Sequence, residues 1–98
     1  MPAKKKVLLV TYDLRSAPEE RQKAIFETLQ ECPGWWHYLD STWLVVTRDS
    51  PTSLVNKLLP HLTQSERLLV TEFTPRRYQG WLPEKAWEWI NAHAVTTS

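Results

Sequence analysis

An α+β sandwich, one sheet with helices laid against it, is the fold class this chain predicts. Three observations predict it. Short apolar or alternating runs of strand length recur four times. Two amphipathic stretches of helical period separate them. Their order is strand, helix, strand, strand, helix, strand, the split βαβ plan of the ferredoxin-like sandwich, with an extra helix at the carboxyl end. Ninety-eight residues leave no room for two cores, so 1–98 reads as one domain.

The first strand, Lys6 to Tyr12, is the central one. Val7-Leu8-Leu9-Val10-Thr11-Tyr12 has almost no polar position, the pattern of a strand buried on both faces. It ends in a carboxylate, Asp13. Ser16 and Glu19 have capping-box spacing, and Pro18 is tolerated in a first helical turn. The helix that follows puts Ile25, Phe26, Leu29 and Cys32 on one stripe. Arg21 and its charged neighbours fill the other face, and Pro33-Gly34 stops it.

Trp35–Leu39 and Thr42–Thr47 read as a hairpin closed by Asp40-Ser41. Alternation puts Trp36 and Tyr38 on one face, with Trp35, His37 and Leu39 on the other. In the next strand it separates Trp43 and Val45 from Leu44 and Val46. Ser50 caps a second helix with Pro51 in its first turn. Its stripe is Leu54, Val55, Leu58, Leu59 and Leu62, and Pro60 marks an end near Leu59. After a polar turn, Thr63 to Glu66, the fourth strand runs from Arg67 to Phe73. A short helix from Pro83 to about Ala92 closes the fold, and residues 94–98 are expected to fray. Large apolar groups point to both sheet faces, so the face without the two main helices needs a cover. The last helix or a second copy of the chain would supply it.

The totals exclude several classes. A net charge of +1 argues against a domain that coats nucleic acid by charge alone. No apolar run reaches the ~20 residues needed to span a bilayer, and the charged start lacks a cleavage site, so neither membrane insertion nor a signal peptide is expected. One cysteine, Cys32, fits a reducing, cytoplasmic setting. Six tryptophans are an excess in so short a chain, and suggest surface buried in a core or against a partner.

Val10-Thr11-Tyr12-Asp13-Leu14, Gly34-Trp35-Trp36-His37-Tyr38-Leu39-Asp40-Ser41-Thr42-Trp43-Leu44-Val45, Arg67-Leu68-Leu69-Val70 and Gly80-Trp81-Leu82 together resemble the small bacterial proteins of the SinR family. More distantly, the chain is similar to the CRISPR-associated ferredoxin-like endonucleases of the spacer-integration complex and to VapD-type ribonucleases. Those proteins also begin with a strand ending in Tyr-Asp and pair as homodimers. The resemblance implies a homodimer in which two copies of Asp13 face each other across a two-fold axis. This chain departs from them in its Trp-rich carboxyl-terminal helix and its near-neutral charge.

Candidate sites follow. Asp13 is the candidate catalytic and metal-ligating residue, for Mg²⁺ or Mn²⁺. A hard cation on carboxylate oxygens polarises phosphate and activates water, and a two-fold axis would double the single carboxylate. The competing reading of Asp13 is a strand end that accepts backbone hydrogen bonds. Lys4, Lys5, Lys6, Arg15, Arg48, Arg76 and Arg77 are candidate contacts to RNA or DNA phosphates, with Tyr12 and Tyr78 stacking on bases; a solvated surface is the competing reading. His37, Asp40 and Ser41 could suggest acid–base chemistry, but Asp-Ser is ordinary turn composition. Trp36, Tyr38 and Trp43 are the expected dimer interface. The RNA-recognition motif is rejected, because Thr42 to Thr47 has no glycine and one aromatic residue. Two functions remain open: a nucleic-acid-associated protein with weak metal-dependent nuclease potential, and a non-catalytic dimeric scaffold or regulatory module.

Overall fold

The apolar first strand takes the middle of the sheet. The computed structural model describes residues 5–14, 18–73 and 78–93, and shows an α+β fold. Among these residues it has four strands, β1 (Lys6–Asp13), β2 (Gly34–Leu39), β3 (Thr42–Thr47) and β4 (Arg67–Glu72). It has three α-helices, α1 (Glu19–Gln30), α2 (Pro51–Leu58) and α3 (Glu84–His93). Lys4, Arg15, Ser16, Arg76 and Arg77, with residues 94–98, lie outside the described residues. The strands run β2-β3-β1-β4, and every neighbouring pair is antiparallel.

Both faces of β1 are buried, which is why its sequence does not alternate. On one face Leu8, Val10 and Tyr12 pack with Trp43 and Val45 of β3 beneath α1 and α2. Those helices contribute Ile25, Leu29, Leu54 and Leu58, with Phe26 and Cys32 packed alongside. On the other face Val7, Leu44, Val46 and Trp36 pack against Ala86 and Ile90 of α3. The carboxyl-terminal helix therefore covers the Val7 end of this second face from within the same chain. Gly34 lies where α3 comes close: a Cβ there would sit 3.2 Å from a methyl of Val46 and 3.7 Å from the Trp89 ring.

Some local expectations hold and others change. The N-cap of α1 is Pro18, which has no side-chain acceptor to offer, so the first helical residue is Glu19. The Pro18 carbonyl accepts from the amides of Arg21 and Gln22 instead. At α2 the expected cap is present: the Ser50 hydroxyl accepts from the Ser53 amide at 3.1 Å. Pro60, with no amide hydrogen, sits in a single 3-10 turn, Leu59–His61. The tighter turn rotates Leu59 off the apolar stripe, and it is exposed. The hairpin turns through Asp40-Ser41, but a register irregularity between Trp36 and Leu39 breaks the alternation, so Leu39 pairs with Thr42 and lies on the Trp36 face instead of the Trp35 and His37 face.

The turn before β4 is more than polar chain. Glu66 is buried, and its carboxylate is held by Arg21 of α1. Arg21 donates through Nη1 to Oε1 and through Nη2 to Oε2 at 3.1 Å, and Nη1 also reaches the His61 carbonyl at 3.1 Å. The Thr63 amide donates to Glu66 Oε1 at 2.9 Å. Arg21, expected on the solvent face of its helix, thus fastens α1 to the entrance of β4. Replacing Arg21 with Met strands a buried carboxylate. We expect the thermal midpoint to fall by on the order of 10 °C, and Arg21→Met with Glu66→Leu to recover part of the loss. Calorimetry on both variants checks this; a single variant that melts like the parent would show the pair to be idle.

Candidate functional site

Alternation along β1 sends Val7, Leu9, Thr11 and Asp13 to the second face of the sheet. Leu9 packs into the cluster under α3. Across the ladder, Thr11 lies opposite Leu69 of β4, and Asp13 opposite Arg67. Thr11 and Thr42 share a hydroxyl–hydroxyl hydrogen bond of 3.0 Å. From Thr11 to Asp13 this face therefore grades from apolar to charged.

The helix α3 covers one end of the face and leaves the other open. Tyr38 and Leu39 are exposed at the hairpin end, and Leu69 is 59% exposed. Where the covered and open parts meet, a groove of about 250 Å³ runs between the sheet and the segment leading into α3. Leu9, Trp36, Leu44, Phe73, Trp87 and Ile90 line it. Trp81 stands at its mouth with its ring in solvent, 99% exposed. A smaller concavity of about 240 Å³ at the end of β1 is bordered by Thr11, Asp13, Arg67 and Leu69.

Asp13 is exposed at the strand end, in the register position facing Arg67. Among the described residues no three His, Cys, Asp or Glu side chains come together as a metal-binding group. Lys5, Lys6 and Arg48 sit elsewhere. Lys6 pairs in register with Thr47, and its ammonium donates to the Asp49 carbonyl at 3.4 Å. Seven strand steps put these cations about 23 Å from Asp13 at ~3.3 Å per residue. The expected phosphate contacts that are described and the expected metal ligand are thus at opposite ends of one strand.

The expected dimer-interface trio divides as well. Trp43 lies on the helix-covered face and is 0% exposed, enclosed by Phe26, Trp35 and His37. Trp36 is 3% exposed beneath α3, where its indole donates to the Ala86 carbonyl at 3.1 Å. Both tryptophans are therefore packed by their own chain. Tyr38 alone of the three presents surface; it touches the Trp36 ring at 5.2 Å. The most exposed indole of the chain is Trp81, which the expected trio did not include. Its signal in the sequence was an indole between Gly80 and Pro83, outside any periodic stretch.

His37, Asp40 and Ser41 serve structure. The His37 Nε2–H donates to the Asp40 carbonyl at 2.9 Å, and its ring stacks on Trp43 with centroids 4.0 Å apart. The Ser41 carbonyl accepts from the Tyr12 amide at 3.1 Å. Tyr12 in turn accepts from Trp43 Nε1 at 3.0 Å. Burial pushes the Tyr12 phenol up; the bond from Trp43 works against that shift, and the Asp40 charge adds to it.

A second polar cleft lies at the other end, around Cys32, Asp49 and Lys57. The Lys57 ammonium, 2.7 Å from Asp49, holds that carboxyl below the usual range, and Asp49 raises Lys57 in return. Burial pushes the Cys32 thiol up, which disfavours the thiolate a nucleophile needs.

No protein-family model, curated protein or solved structure matches this chain.

Because the folded state holds Tyr12 neutral, the unfolded chain ionises first as pH rises past about 10. The contribution of Tyr12 to stability is complete below that pH and is lost as pH climbs toward its raised value. We expect alkaline unfolding to coincide with ionisation of one of the three tyrosines. Phenolate absorbance and circular dichroism followed together test this, with Tyr12→Phe removing that phenol from the titration.

Proposed function

We propose that this chain is a homodimeric interaction module of ferredoxin-like topology that joins through the open end of its second sheet face, and that its role is scaffolding or regulation without catalysis. The order β2-β3-β1-β4, with α1 and α2 on one face, supports the topology. One observation carries the functional reading: α3 leaves Tyr38, Leu39 and Leu69 exposed on the second sheet face, and Leu39 and Trp81 border an apolar groove there. Apolar area gains about 25 cal/mol per Å² when removed from water, so such a face favours a partner. The resemblance to the SinR family, and more distantly to proteins that pair face to face, points the same way. A reducing, cytoplasmic setting belongs to this reading, with Cys32 half-buried and free of disulfide.

A second reading has its own observation. Asp13 is exposed, borders a concavity with Arg67, and lies on the face through which the dimer would form. Two copies of Asp13 brought together could hold Mg²⁺ or Mn²⁺ against an RNA or DNA phosphate. Arg67, not the distant Lys5, Lys6 and Arg48, would then be the nearest described cation to that phosphate.

Sedimentation at micromolar concentration should give a dimer. Leu69→Glu, which places a charge on the open face, should shift it to monomer, and should leave the thermal midpoint unchanged when both proteins are diluted to where the parent is monomeric. A parent protein that sediments only as monomer would remove this reading. In parallel, RNA and DNA incubated with Mg²⁺ or Mn²⁺ should remain intact. Cleavage that disappears in Asp13→Ala, with folding preserved, would establish the second reading in place of the first.

A further inference from the structure

We infer that Trp81 is a reciprocal anchor: in the dimer, each chain seats this indole in the groove of the other. The inference rests on the homodimer proposed above and names the contact that holds it.

The knob and the hole are on one patch. Trp81 is 99% exposed at the mouth of a groove walled by Trp36, Phe73 and Trp87 and floored by Leu9 and Leu44. A two-fold interface requires such self-complementarity, because each side offers the same surface to the other. Size agrees with the occupant. An apolar cavity of ~150 Å³ admits benzene, and this groove measures about 250 Å³, enough for the larger indole.

Polarity agrees as well. An indole brings one N–H that needs an acceptor when buried. Thr42 lies at the open end of the groove, and its hydroxyl pair with Thr11 leaves lone pairs unused. Asp13 and Arg67, one charge of each sign, border the same face. Area is sufficient for an anchor-dominated contact. Burying Trp81 together with the exposed parts of Tyr38, Leu39 and Leu69 removes on the order of 500 Å² per chain, against about 800 Å² per partner in a standard interface. The groove lining adds little to this, since Trp36 and Leu44 are already buried, so the contact is a small one completed by its polar rim.

The full chain, as parent, Trp81→Ala and Trp81→Phe, is compared by sedimentation equilibrium and by thermal unfolding at a concentration where the parent is monomeric. Each dimer of Trp81→Ala loses two anchors of about 30-fold each, so its dissociation constant should rise on the order of 1000-fold. Trp81→Phe should fall between the two, and the monomer's unfolding midpoint should not move. Two outcomes overturn the inference while leaving the dimer standing. One is unchanged dimer affinity in Trp81→Ala. The other is a lowered monomer midpoint in Trp81→Ala, which would place the indole in its own chain's groove. A parent that remains monomeric at every concentration removes this inference and the dimer together.

Discussion

Everything in this fold follows from the need to bury β1 twice. A strand with six consecutive apolar, β-branched or aromatic residues cannot leave either face in water without losing several kcal/mol of hydrophobic stabilisation. The first cover is complete: α1 and α2 close over Leu8, Val10 and Tyr12. The second cover is partial. The helix α3 takes the end around Val7 and Val46, while the sheet continues past it to Thr11 and Asp13. The open surface and the groove are the portion of this requirement that one short helix does not meet.

Within the covered layer, specificity comes from a few polar contacts set among aromatic rings. Trp43 donates to Tyr12, stacks on His37 and lies 5.3 Å from Phe26, so one indole ties β1, the hairpin and α1 together. Hydrogen bonding its N–H inside the core makes a large aromatic acceptable there, where an unpaired donor would cost about 1–3 kcal/mol. Arg21 and Glu66 do the same between α1 and β4 with charges instead of rings. One contact fixes the two central strands and the other fixes the entrance to the edge strand β4.

What could be read in advance was what depends on neighbours along the chain. The two-faced burial of β1, the hairpin at Asp40-Ser41 and the Ser50 cap all follow from local period and residue chemistry. What escaped was set by residues far away. Nothing near Glu66 signals that a helix residue 45 positions earlier will pair with it. Trp36 was assigned to an interface because the reach of α3 across the sheet is a tertiary fact, absent from any window around Trp36. Trp43 belongs with Trp36 and Tyr38 in a regular two-residue hairpin, where Tyr38 would face Trp43; the register irregularity between Trp36 and Leu39 sets Trp36 opposite Leu44 and so separates the two indoles. The basic residues looked like one set in composition, and the length of β1 separates those that are described from Asp13. Helix-start chemistry was ambiguous at Ser16 and Pro18, where capping spacing and proline geometry competed.

The central place of β1 also bears on how the chain reaches its fold. Its partners come much later in the sequence: Leu8 pairs with Val45 on one side and with Glu72 on the other. During vectorial synthesis the Val7–Val10 run must wait, unpaired, until both have been made, and such delayed long-range pairing is slow. A short, uncharged β-prone run is prone to stick to its own kind in that interval. Lys5 and Lys6 before it and Asp13 after it give the waiting strand charged gatekeepers against premature self-association.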